Sequence, residues 1–323
     1  MYKLIVATEQ GIVICERADN GWQEALRTRT DQHVTSVIAR EGVILAGTED
    51  GIFRSDDEGQ TWEEASNGLH TPHVRWLAYH PQVSDLEFAG TEPANIFVSH
   101  SVGGSWHACP EVAELRDKFE WSLPYSPEAG CVRGFAVHGS RIYAAVEVGG
   151  VLISDDMGET WQLAQGSDGK PDLQGPPEPF VYPDVHSLEV HSSSPDLVYA
   201  PTGGGFYRSN DGGNTWQLFY DCYCRAVWVN ANDPDHIILG PADGVDRNGR
   251  IEESRDGGKS WVLASNGLQV PWRRGMVERF FQADDELFAV LSTGQLLLAP
   301  LATLEWKSIL PDVHHVNAVT TIV

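Results

Sequence analysis

One eight-residue pattern, Ser-x-Asp-x-Gly-x-Thr-Trp, recurs along the chain and constrains its fold more than any other feature. Copies stand at residues 55–62, 154–161, 209–216 and 254–261, the last with Ser260 in the threonine place. A fifth, at 99–106, keeps Ser, Gly and Trp but carries Ser101 where Asp belongs. Two further segments keep only the tryptophan and its flanking strands, at Trp22 and Trp306. In such a pattern Ser and Asp side chains bond the backbone of a tight turn, Gly supplies positive φ, and Trp opens the next strand as a large core anchor. Each copy therefore closes a hairpin, and the tryptophans at 22, 62, 106, 161, 216, 261 and 306 mark seven units.

Around each turn the same strand order appears, most clearly at 34–39, 43–47, 52–55 and 62–65. A four-stranded meander cannot bury both of its faces alone, so seven of them predict an all-β, seven-bladed propeller in one domain, residues 1–323. The blades fall at 1–26 plus 315–323, 33–65, 73–108, 131–164, 184–218, 223–264 and 276–309. The first unit supplies only three strands and the chain ends on an orphan strand, which is expected to complete blade one and close the ring. With these repeats spanning essentially the whole chain, the sequence resembles the Asp-box (BNR repeat) β-propellers of the sialidase-like superfamily. That resemblance implies that the boxes are folding elements remote from the active site. It also implies either a glycosidase-like hydrolase or, as in similar propellers that assist photosystem II assembly or bind peptides, a non-catalytic scaffold.

Composition narrows the partners. Lys and Arg number 22 against 46 Asp and Glu, a net charge of −24, which repels nucleic acid and anionic membrane surfaces. Hydrophobic residues at 41% with charged residues at 21% are a globular balance, and no apolar run reaches the roughly 18 residues a membrane span needs. The N-terminus runs directly into a strand-like segment without signal-peptide features, and the five cysteines are odd in number without a CxxC pair. A cytoplasmic setting with reduced thiols is expected.

Ligand sites belong on the face opposite the box turns, where the innermost strands begin. Aligned, those strands start His33-Val34-Thr35, His73-Val74-Arg75, Cys131-Val132-Arg133, Asp184-Val185-His186, Tyr223-Cys224-Arg225, Met276-Val277-Glu278 and His315-Val316-Asn317. Alternation along a strand puts the first and third positions on one side, facing the axis, with the middle residue packed away. Arg75, Arg133 and Arg225, from three blades, are candidates to clamp one planar anion, an acidic sugar or other carboxylate, as Arg forks suit. The set looks like the arginine cluster of sialidases; each arginine could instead partner a channel carboxylate such as Glu278.

Asp184 and His186 could act as a general base, or form an inter-blade hydrogen bond. His33, His73 and His315 could hold a divalent metal, although no cofactor is required, or serve as solvated or bridging groups. The turns between second and third strands add Glu9, Glu49, Glu92 and Glu147, with Glu147 favoured for proton transfer because Gly149 and Gly150 let a ligand approach. Tyr223 joins the binding set. Two long connections, 108–130 and 163–183, and an insertion at 243–250 are candidate lids, with Trp121, Tyr125, Phe180 and Tyr182 as a roof. A small anionic molecule is thus the expected ligand, the substrate of a glycosidase-like hydrolase or a lyase, with a non-catalytic scaffold for a protein partner as the alternative.

Overall fold

The computed structural model describes residues 2–19 and 21–322; of those expected in blade one, Met1, Asn20 and Val323 lie outside the described residues. Seven four-stranded antiparallel sheets form a ring. The innermost strands, Val34–Arg40, Val74–Tyr79, Cys131–His138, Glu189–Val190, Tyr223–Asn230, Val277–Ala283 and Val316–Ile322, touch one another in sequence all the way round. The last of these pairs antiparallel with Lys3–Thr8 and completes the first blade, closing the ring with a strand from the far end of the chain.

Hydrophobic burial follows the ring. Seven main apolar clusters fill the seven gaps between neighbouring blades. Period-two alternation explains how one strand serves two gaps: Leu4 and Val6 pack toward blade seven, Ile5 and Ala7 toward blade two. Strands covered on both faces read as unbroken apolar runs, as in Arg141–Glu147, where residues 142–147 are all buried.

The repeat turns are built as their residues dictate. In the copy at 154–161, Ser154 Oγ accepts from Gly158 N at 2.9 Å and donates to Asp156 Oδ1 at 2.7 Å. Asp156 accepts from the backbone and hydroxyl of Thr160, and Trp161 Nε1 donates to Gly158 O at 2.9 Å. Those hydrogen bonds hold the Asp156 carboxylate below its ordinary pKa against the opposing effect of burial. Gly158 has φ 91°, and a Cβ there would collide with Phe88 of the preceding blade, so the glycine serves both the turn and the blade stacking. Trp161 is buried against Phe88 and Phe135 in the gap between blades three and four. Trp161→Ala should therefore cost about 3–5 kcal/mol. A lower denaturant midpoint with an unchanged slope checks this.

The connection at 108–130 is not a free lid. It carries the one α-helix among the described residues, Pro110–Phe119, whose Glu111 accepts the backbone N–H of Trp161 at 2.7 Å. Trp121 is 2% exposed and donates to Gly169 O at 2.8 Å, tying the two long connections together as core rather than roof.

Candidate functional site

At the face where the innermost strands begin, the axis opens into a basin of about 710 Å³. Six of the seven third-position residues line it: Thr35, Arg75, Arg133, Arg225, Glu278 and Asn317. Their presentation does not come from strand alternation alone. The ladder shifts register at the third position in blades one, two, three, four, six and seven. A bulge bends the strand and re-aims the extra residue, which is how successive blades deliver a side chain to the same axial level. Glu9, Glu49 and Glu147 also reach the basin from the turns between second and third strands. In two of these turns a threonine closes the loop, Thr8 Oγ1 donating to Gly11 O at 2.9 Å and Thr48 Oγ1 to Gly51 O at 3.0 Å.

The arginines do not stand free as a clamp. Arg133 Nη1 lies 2.8 Å from Glu147 Oε2 and its Nη2 3.5 Å from Glu278 Oε2. Arg225 Nη1 donates to Glu278 Oε1 at 2.5 Å, and its Nε and Nη2 donate to the Tyr223 hydroxyl at 3.1 and 3.0 Å. Arg75 pairs with Glu92 at 3.2 Å, and Glu92 also accepts from Ser126 Oγ at 2.7 Å. Burial by itself would raise the Glu147 and Glu278 pKa values. The adjacent arginines overcome it, with Arg133 dominant for Glu147 and Arg225 for Glu278, and hold both below the ordinary carboxylate range.

Asp184, His186 and Glu147 do converge, with ligand atoms within 4.8 Å of one another. His186 is buried, and Nδ1–H donates to Cys224 O at 2.9 Å. Its Nε2 lies 3.2 Å from Asp184 Oδ2 and 3.3 Å from the Tyr223 hydroxyl. Asp184, His186, Tyr223 and Glu92 do not line the basin; Glu92 and Tyr223 bond Arg75 and Arg225, and His186, with Asp184 beside it, meets the Tyr223 hydroxyl. A metal at the Glu147 cluster would meet the guanidinium of Arg133. The three histidines named from sequence are not brought together as a ligand set: His33 pairs with Glu49 at 2.9 Å and His315 with Glu9 at 3.3 Å, each within its own blade entrance. His73 is held below its ordinary pKa by burial and by the Arg75 cation. Of the expected roof, Tyr125 reaches the basin and is 58% exposed, joined by Val245 of the 243–250 insertion. Phe180, Tyr182 and Trp121 do not line it.

The blade-seven turn at 291–294 lines the basin too, and so do two axial residues that the triplets do not hold, Trp76 and Arg279. They occupy the next column, which reads Ser36, Trp76, Gly134, Ser187, Ala226, Arg279 and Ala318. Five small residues leave space at the axis, and the two large ones fill it. The Arg279 guanidinium stacks 3.7 Å over the Trp76 ring, and Nη2 donates to Arg133 O at 2.8 Å. That column of small residues broken by a Trp and an Arg was the legible signal.

No known family's sequence profile matches the chain. It is 22% identical over 276 residues to the oligoxyloglucan-reducing end-specific xyloglucanase of Emericella nidulans, covering 72% of this chain and 33% of that protein. Among solved structures, the GH74 xyloglucanase from Xanthomonas campestris superposes over 97% of this chain and 47% of its own, at a TM-score of 0.64 and 16% identity. A YCF48 structure bound to D1 peptide superposes over 89% of this chain and 84% of its own, at 0.60 and 14%. The chain thus spans about a third of the curated xyloglucanase it matches, while it matches the YCF48 propeller over most of that protein's length. What these likenesses establish is a seven-bladed β-propeller similar to GH74 xyloglucanase propellers.

Proposed function

We propose that this propeller binds a carboxylate-bearing ligand, an acidic sugar or another organic acid, in its axial basin. The observation that carries the reading is the gathering of Arg75, Arg133, Arg225 and Arg279, from four blades, in one open basin of a protein whose net charge is −24. Guanidinium forks gathered in one cleft suit a carboxylate, and Arg279 among them has no ion pair among the described residues. A second reading, a glycosidase-like hydrolase, has support from the xyloglucanase likeness and from two of the four carboxylates that line the basin, Glu147 and Glu278. It asks one of them to carry a proton for the leaving group, and arginine pairing keeps both ionised. Binding is therefore the better-supported function. The YCF48 structure with a bound peptide supports extending it to a carboxylate carried on a larger partner.

The test is calorimetric titration of the intact protein with glucuronate and acetate, alongside incubation with xyloglucan oligosaccharides. Saturable carboxylate binding that weakens with added salt, without release of shorter sugars, is the expected result. Cleavage of the oligosaccharides with no carboxylate binding would replace this reading with the hydrolase.

A further inference from the structure

Resting on the basin's reading as an anion site, a finer assignment follows from how its charges are matched. Arg75, Arg133 and Arg225 each have a glutamate within 4.0 Å, drawn from Glu92, Glu147 and Glu278. Arg279 alone of the four basin arginines has no carboxylate within that distance among the described residues. One guanidinium face is covered by Trp76 and one N–H is used by Arg133 O, which leaves further donors of the planar fork to the basin. Stacking on an indole fixes the fork's plane, so little side-chain entropy remains to be lost when a ligand arrives. Burial, then the Arg133 cation beside it, lowers its pKa to about 9, so it stays charged at neutral pH.

We propose that Arg279, held flat on Trp76, is the anchoring residue of the basin and that the site is built for a singly charged carboxylate. Three arginines matched by three glutamates leave Arg279 as the one basin guanidinium without an ion-pair partner among the described residues, free to take the ligand's carboxylate. The mouth adds a selection against more: Glu9 and Glu49 stand at the rim of the same basin and repel a second negative charge. Tyr125 and Val245, both more than half exposed at that rim, offer apolar surface to whatever carries the carboxylate. A monocarboxylate with an apolar body fits these features, and a phosphate or dicarboxylate does not.

The experiment titrates benzoate, succinate and inorganic phosphate into the intact protein and into Arg279→Ala and Arg279→Lys, with melting temperatures recorded for all three proteins. Benzoate should bind the intact protein most tightly, and Arg279→Ala should weaken it by more than about tenfold without a matching loss of fold. Arg279→Lys, which keeps the charge and much of the packing but not the fork, should fall between them and guards against an alanine variant that fails to fold. Undiminished benzoate binding by the folded variants would overturn Arg279 as anchor while leaving the basin reading in place. Tighter binding of succinate or phosphate would overturn the single-charge assignment. Failure of the intact protein to bind any of the three would overturn the basin reading itself and this inference with it.

Discussion

A chain ending before the closing strand Val316–Ile322 is expected to lose cooperative folding. That strand is the innermost member of blade one and hydrogen-bonds along the whole of Lys3–Thr8. Its side chains enter two apolar clusters at once, Val316 and Val319 toward blade seven and Ala318 and Ile322 toward blade two. Burying each of Val316, Val319 and Ile322 contributes about 1.5–3 kcal/mol, and together they rival the roughly 5–15 kcal/mol that separates a folded domain from its unfolded chain. Removal would also bare the edge of Lys3–Thr8, an invitation to pairing between molecules. Circular dichroism melting and size-exclusion chromatography should show a lost or strongly lowered transition with association. A peptide of residues 315–322 added in trans should restore part of it. A truncated chain that melts like the intact one would mean the ring does not depend on this closure.

The architecture was legible because its determinants are local. Ser154, Asp156, Gly158 and Trp161 each act within eight residues, so the turn, the hairpin and the count of units can be read directly, and the three-stranded first unit calls for the orphan strand at the other end. The axial column was legible for a related reason: the valines at the middle triplet position mark the register in nearly every blade. What the register could not show is the bulge at the third position, since a bulge is a property of a strand pair and alternation describes one strand. Alternation sends the fourth residue away from the axis, and this is why Trp76 and Arg279 were passed over. The pairing of the arginines with Glu278 was legible only as one of two alternatives, the other being a free clamp, because sequence does not measure the approach of two blades. Glu278 stands 53 residues from Arg225, and only the ring brings them together. The helix Pro110–Phe119 had ordinary signals, Pro at its start and Glu111 in the first turn, but a Pro-rich segment further along drew the whole connection toward a loop reading.

Arg133→Ala should be the most damaging single substitution in the basin, and it should act first on stability. The Arg133 side chain lies between the buried carboxylate of Glu147 and the partly buried carboxylate of Glu278. Glu278 would keep Arg225, but Glu147, 3% exposed, would lose its one ion pair and be left with the Cys131 thiol, the Tyr125 hydroxyl and the His186 imidazole as neighbours. Deleting one partner of a buried ion pair costs about 3–5 kcal/mol because the other charge stays buried without compensation.

The pH dependence supplies the check on cause. In the intact protein Glu147 and Glu278 titrate below their unfolded values, so their contribution is fully present above the unfolded carboxylate pKa, about 4.3, and is lost as the pH falls through the folded values. Without Arg133 the burial of Glu147 is no longer outweighed and its folded pKa rises above the unfolded one. The native variant then binds a proton more readily than its unfolded chain, so its stability increases as the pH is lowered through that raised value. The stability gap between intact protein and variant should accordingly be widest near pH 7 and narrower near pH 5, measured by denaturant unfolding at both. Arg133→Ala combined with Glu147→Gln should recover part of the loss at pH 7. A gap that is the same at both pH values, with no recovery in the double variant, would show that lost packing rather than a stranded charge accounts for the damage.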